Sequence, residues 1–253
     1  MTVKPLLLAL TVLGPALPAA FAAEPCREDP PATAPARLSG FDRAGDPLLA
    51  DGRALRLVGL APRQDAAEDA RFKAGLAPFI GRELLLAVAG EKDRWGRWPA
   101  RLFVATTPEG GRQDIGLLLQ KSGAALPMPE AGAAACASDV QTKLTSASQA
   151  LPSTAVDGHD PAAVREQEGR YVMLEGRVAS VGERSQRTYL NFSRRRGEAA
   201  SIVMSRKLWR ELKHAGWTAA GLGGKRLRAY GVLGGRNGLL LEVTSRAAVE
   251  LID

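Results

Sequence analysis

The chain has 253 residues, 45% apolar and 24% charged, enough for one large or two small domains. Its formal net charge of +7 is unevenly placed: residues 1–157 hold 17 Lys/Arg and 17 Asp/Glu, whereas residues 158–253 hold 17 against 10. Beyond the first residues no apolar run is long enough to span a bilayer, and two cysteines and two histidines at unrelated spacings exclude a zinc site.

Residues 1–22 read as a cleavable signal peptide, with Lys4, an apolar run over 6–12 and the small-x-small site Ala20-Phe21-Ala22. The mature protein is therefore expected to be periplasmic or secreted, with no transmembrane segment. Residues 23–36 carry Pro25, Pro30, Pro31 and Pro35 and read as an extended leader. In an oxidising compartment Cys26 and Cys136 are expected to form a disulfide, pinning that leader to the domain.

A first strand is expected over 37–42, then a hairpin over 48–60 around Asp51-Gly52, with Leu55, Leu57 and Val58 buried and Arg56 outward. Residues 65–79 read as a helix with Ala66, Ala67, Ala70 and Leu76 inward. Two apolar runs, 83–89 and 101–106, read as strands flanking Asp93-Arg94-Trp95-Gly96-Arg97-Trp98-Pro99-Ala100. Two readings of that turn stand: Arg97 presents its planar fork to a phosphate, or the arginines are solvated on a surface hairpin. Asp114 is placed to cap a helix over 115–122 that Gly123 ends, and 133–150 reads as a further helix.

Residues 151–160 read as linker. Strands are then expected over 171–181, 188–192 and 200–204, a helix over 206–215 capped by Ser205, a hairpin over 225–233 and 239–243, and a closing strand over 247–251. Three strands, a helix and two strands is the element order of an OB-type barrel. On the helix, Leu208, Trp209 and Leu212 are expected to face the barrel. His159 and His214 have no nucleophile or metal partner in the sequence and read as structural.

The blocks ADGRALRLVGLAP (50–62) and DRWGRWPARLFV (93–104), with support from IGRELLL (80–86) and LLLQKSGAALP (117–127), resemble the staphylococcal-nuclease-like (thermonuclease) family over about residues 37–150. The resemblance implies a five-stranded OB barrel with three helices. It also implies calcium-dependent cleavage of DNA and RNA by two arginines, a glutamate and two metal-binding aspartates. The arginines fall on Arg56 and Arg97, a retained phosphate clamp. One aspartate falls on Gly45, with Asp46 one position away, and the other on Ala61. The glutamate falls on Gln64, which can hydrogen-bond a water but cannot take its proton. Calcium is implied only if Asp46, with Asp42, Asp65 and Glu68, rebuilds a site.

GRYVMLEGRVASV (169–181) and RTYLNFS (187–193) resemble small OB-like domains that follow nuclease-like domains in exported bacterial proteins. There Tyr189 and Phe192 are interleaved with Arg187, Arg194, Arg195 and Arg196. Either the aromatics stack bases while the arginines pair phosphates, or the aromatics are core and the arginines solvated.

The expected fold class is mainly β with helices (α+β). It comprises an SNase-like OB-fold barrel over 37–150, a linker over 151–163 and a small basic OB-like β-barrel over 164–253. The expected function is a catalytically degraded nuclease fold binding DNA, RNA or another polyanion through Arg56, Arg94, Arg97, Arg187 and Arg194 to Arg196. Two alternatives stand: an active calcium-dependent nuclease with a rearranged metal site, and a structural protein whose basic face meets an anionic envelope surface.

Overall fold

The computed structural model describes residues 33–106, 111–128, 155–235, 237 and 239–252. The expected signal peptide, nearly all of the leader, Cys26, Cys136 and the helix expected over 133–150 lie outside these residues. The protein is mainly β with few helices, arranged as two sheets that each carry their own core. Among the described residues no helix is long and apolar enough to cross a membrane.

The first sheet is built from β1 (Ala34–Phe41), β2 (Pro47–Leu49), β3 (Leu55–Leu57), β4 (Glu83–Val88), β5 (Trp98–Ala105) and β6 (Arg112–Asp114). β1 serves two partners. Its first half pairs antiparallel with β4, and beyond an irregularity between Leu38 and Gly40 it pairs antiparallel with β2. β5 lies antiparallel to β4 and parallel to β3. Leucines dominate the core, among them Leu38, Leu55, Leu84 and Leu102, each excluded from water. A fully buried leucine contributes about 1.5–3 kcal/mol of transfer free energy.

Helix α1 (Ala66–Leu76) starts at Asp65, whose carboxylate accepts from Glu68 N–H, and gives way to a 3-10 turn over Ala77–Phe79. The expected helix over 65–79 is thus shorter in its α part, because Pro78 cannot continue the hydrogen-bond ladder. Its inward face also differs from expectation. Phe72 and Leu76 are buried, whereas Ala66, Ala67 and Ala70 are exposed. A methyl group gains little from burial, so the two large side chains set the helix rotation. Helix α2 (Ile115–Lys121) is capped by Asp114, and Gly123 beyond its end takes φ 70°, as expected.

The second sheet comprises β7 (Ala155–Asp157), β8 (Tyr171–Arg177), β9 (Ser180–Glu183), β10 (Arg187–Asn191), β11 (Ser201–Ser205), β12 (Arg226–Gly234), β13 (Leu240–Val243) and β14 (Val249–Leu251). β12 pairs antiparallel with β8 and β13, β11 runs parallel to β13, and β10 joins β11 to β9. Helix α3 (Pro161–Glu166) precedes β8, and helix α4 (Arg206–His214) follows β11 with Ser205 as its N-cap. As expected, Leu208, Trp209 and Leu212 are the buried face of α4. Part of the expected linker is structured: β7 pairs parallel with β8, and Asp160 caps α3.

Both halves repeat one pairing scheme. In the first, β3 runs parallel to β5, β1 antiparallel to β4, and α1 joins β3 to β4; in the second, β11 runs parallel to β13, β8 antiparallel to β12, and α4 joins β11 to β12.

Candidate functional site

The loop before β2 is shaped by Asp42, whose carboxylate accepts from the N–H groups of Ala44 at 2.9 Å and Asp46 at 2.8 Å. This turn drives Asp46 inward, where it is only 5% exposed. A buried carboxylate needs counter-charge, and two guanidinium groups supply it. Arg63 Nη2 donates to Asp46 Oδ1 at 2.9 Å, and Arg97 Nη1 donates to Asp46 Oδ2 at 3.2 Å. Arg63 also reaches Asp69 through Nε at 2.9 Å, with its guanidinium carbon 4.6 Å from the Phe72 ring centroid. Lys73 completes Asp69 at 2.6 Å. Arg97 is fastened at its other edge to Asp93 at 2.9 Å, and the same carboxylate accepts from the N–H groups of Trp95 and Arg97. Three carboxylates and three cations thus form a closed, neutral cage between the β1–β2 loop, α1 and the β4–β5 turn.

The carboxyl groups respond to their partners. A hydrogen bond from Lys73 leads in holding Asp69 below the usual carboxylate range. Desolvation opposes ionisation of Asp93, but hydrogen bonds from the Arg97 backbone and side chain outweigh it and hold this carboxyl low as well.

The cage changes how the sequence-predicted residues read. Arg97 does not present a free fork, because both its edges face carboxylates. Arg56, midway along β3, is half-buried and engaged by a partner. Both oxygens of Asp46 and both of Asp69 already face cationic nitrogens. At Gly45 the backbone has φ +84°, and a Cβ there would lie 2.8 Å from Asp69 Oδ1 and 3.1 Å from Lys73 Nζ. An aspartate at position 45 therefore carries a strained backbone and requires the Asp69 and Lys73 side-chain ends to shift out of the cage. A calcium ion does not fit this donor set, and among the described residues no group of three or more His, Cys, Asp or Glu could hold a metal ion. Arg63 was not singled out from sequence, although an arginine two residues after Ala61 puts positive charge beside an expected metal ligand.

Gln64 has a structural partner that sequence reasoning missed. Its Nε2 donates to Tyr171 O at 2.8 Å and its Oε1 accepts from Tyr171 N–H at 2.7 Å, so one side-chain amide pairs with the start of β8 as a strand would. Alongside it, Arg170 Nη2 bridges Asp65 and Glu68, and the Tyr171 hydroxyl donates to Pro127 O at 2.8 Å. Burial pushes the Tyr171 phenol up to about 12. Gln64, the residue for which the resemblance implies a glutamate, is a docking residue here.

The candidate arginines of the second half fall into two groups. Arg187 lies 3.9 Å from Glu242, with both side chains largely exposed. Arg194, Arg195 and Arg196 line a cavity of about 520 Å³ with Arg184, Tyr189, Asn191, Ser201 and Asn237, and among the described residues no carboxylate lines it. Phe192 is core, 2% exposed, and its ring fills the space over Gly176, where a Cβ would meet it at 2.6 Å. Tyr189 is half-buried and lines the cavity. The two aromatics thus divide between the two readings the sequence left open. In the first domain Trp95 is 64% exposed at the β4–β5 turn, with the Arg94 guanidinium stacked 4.0 Å from its ring centroid.

No protein-family model matches the chain, and no curated protein matches it. Among solved structures it is similar to the OBody AM1L10 bound to hen egg-white lysozyme, at 17% identity over 41% of this chain and 97% of that chain, with a TM-score of 0.28. It is also similar to the OBody AM2EP06 bound to hen egg-white lysozyme, at 19% identity over 41% and 90%, with a TM-score of 0.24.

Proposed function

We propose that this chain is an exported, non-hydrolytic protein built from a thermonuclease-like barrel and a basic OB-like barrel, and that it binds a polyanion, nucleic acid foremost. The observation that carries this reading is the closed cage around Asp46. The carboxylate nearest to an expected metal-ligand position is neutralised by Arg63 and Arg97, and the residue at the expected position of the general base is an amide engaged in domain docking. Hydrolysis by the family's route needs a free metal site and a base, and this geometry supports neither. The repeated pairing scheme, with its parallel contacts of β3 with β5 and of β11 with β13, supports the OB reading of both halves. Binding is favoured because the excess positive charge lies in residues 158–253, while the first domain's candidate cations are internally paired.

The test is cleavage and binding of single-stranded DNA by the purified protein, with calcium and chelator arms. The expected result is no cleavage in either arm and binding that weakens linearly in log salt. Calcium-dependent cleavage lost in Arg97→Ala would overturn the non-hydrolytic reading. Absence of any anion binding at low salt would overturn the binding reading and leave the envelope role.

A further inference from the structure

Resting on the polyanion-binding reading, we propose that the cavity on the second barrel is the binding site and that its ligand is single-stranded nucleic acid, with a base stacked on Tyr189 and flanking phosphates held by Arg184, Arg194, Arg195 and Arg196. The outer faces of β9, β10 and β11 form a small ordered platform. Tyr189 stands opposite Gly182 on β9 and Val203 on β11. Gly182 has no side chain, so the tyrosine ring is left uncovered on that flank. One row along, Asn191 lies between Ser180 and Ser201. Its Nδ2 donates to Ser180 Oγ at 3.1 Å and its Oδ1 accepts from Ser201 Oγ at 3.0 Å. Both serines fix the amide plane, leaving one N–H and one lone pair for a ligand edge.

The cations around this platform are all arginines. Arg194 Nε reaches back to Ala179 O at 3.4 Å, which holds its stem near the barrel. Arg195 pairs with Glu198 at 3.3 Å, but that pair is largely exposed and is worth little in water. Guanidinium groups grip phosphate oxygens with two donors and also stack on flat rings, which ammonium groups do not. The chemistry is therefore phosphate plus an exposed flat ring. In a duplex the base faces are covered by their neighbours, so only an unpaired strand offers a ring to Tyr189. The cavity lies within the roughly 300–1,000 Å³ range of small-ligand pockets. That room suits a nucleotide unit or two of a longer strand and is too small for a helix.

The experiment measures fluorescence anisotropy of the full chain with four probes of matched charge: a single-stranded oligonucleotide, the abasic deoxyribose-phosphate strand, the duplex and inorganic polyphosphate. Base stacking on an aromatic leads us to expect that Tyr189→Leu weakens the oligonucleotide roughly tenfold or more. Tyr189→Phe retains that affinity, and neither variant changes binding of the abasic strand. Arg184→Gln and Arg196→Gln each lower the salt slope for the single strand by about 0.7. Equal losses for oligonucleotide and abasic strand in Tyr189→Leu overturn the proposal, as does duplex bound as tightly as single strand. In those cases the polyanion reading survives. Binding to none of the four probes overturns that reading together with this one. Tighter binding to vesicles of anionic phospholipid than to the oligonucleotide also overturns the proposal, in favour of a membrane surface.

Discussion

Substituting Asp46→Asn removes the one charge that both Arg63 and Arg97 share and keeps the shape of the side chain. Removing one partner of a fully buried pair costs about 3–5 kcal/mol, whereas exposed pairs are worth about 0–1 kcal/mol. The cage lies between these limits. The Asp46 side chain is 7% exposed, while Arg63 and Arg97 are 21% and 22% exposed. Each arginine also keeps a second carboxylate, Asp69 or Asp93. The expected loss is therefore about 2 kcal/mol, intermediate between the two limits. For a first half that melts as its own unit of about 60–100 residues, that loss lowers Tm by roughly 8–16 °C. Equilibrium urea unfolding, followed by calorimetry, measures it. A double-mutant cycle with Arg63→Met is expected to give a coupling energy of about 1 kcal/mol, because the two sites share a partner. A Tm and urea midpoint for Asp46→Asn within about 0.5 kcal/mol of the parent would refute the cage, since a surface substitution does no more than that.

Gln64→Glu supplies the carboxylate that the sequence resemblance implies at this position but puts an oxygen against Tyr171 O, where an N–H now donates at 2.8 Å, and beside Glu68. The expected cost is about 1–2 kcal/mol, with faster proteolysis between the two halves and no gain of cleavage; unchanged protease resistance would sink the docking role. Gly45→Asp, which supplies an aspartate that the sequence resemblance implies, is expected to lower Tm because of its positive φ and the contact with Asp69, and millimolar calcium is expected not to recover it. Recovery by calcium would mean that the cage opens to hold a metal. Stability is expected to fall between pH 10 and 12: there an unfolded tyrosine ionises while Tyr171, raised to about 12, stays protonated in the folded state. Tyr171→Phe is expected to make that limb of the urea midpoint shallower, the remainder belonging to Tyr230, whose phenol burial also raises. At the acid end Asp69 and Asp93 are depressed in the folded state, so their contribution is present above the ordinary carboxylate range and lost as pH falls below about 4. A urea midpoint unchanged from pH 6 to pH 3 contradicts this.

What the chain's sequence determined by itself is what forms within a few residues. Asp114 and Ser205 cap their helices through N–H groups three positions on, and Asp51-Gly52 makes a tight turn because its glycine accepts φ 84°, although β2 and β3 on either side share only the Leu48–Ala54 bridge and pair instead with β1 and β5, so the expected hairpin does not form. Leu208, Trp209 and Leu212 share a helix face by periodicity alone. These interactions close locally, so residue type and spacing suffice. The candidate site is different. Asp46 meets Arg63 across 17 residues and Arg97 across 51, and Gln64 meets Tyr171 across 107. Only the tertiary structure brings those segments together. Arg97 could be read from sequence as a phosphate fork because nothing near it announces Asp46, and Gln64 could be read as an idle catalytic position because nothing near it announces β8. The same holds for Tyr189 and Phe192, two similar side chains three residues apart. Phe192 becomes core because Gly176, opposite it in the fold, leaves room for its ring, and Tyr189 becomes a cavity wall because Gly182 leaves its flank uncovered. Charge pairing and ring exposure depend on which distant backbone passes alongside, and that is decided by strand pairing across each sheet and by the docking of one half on the other.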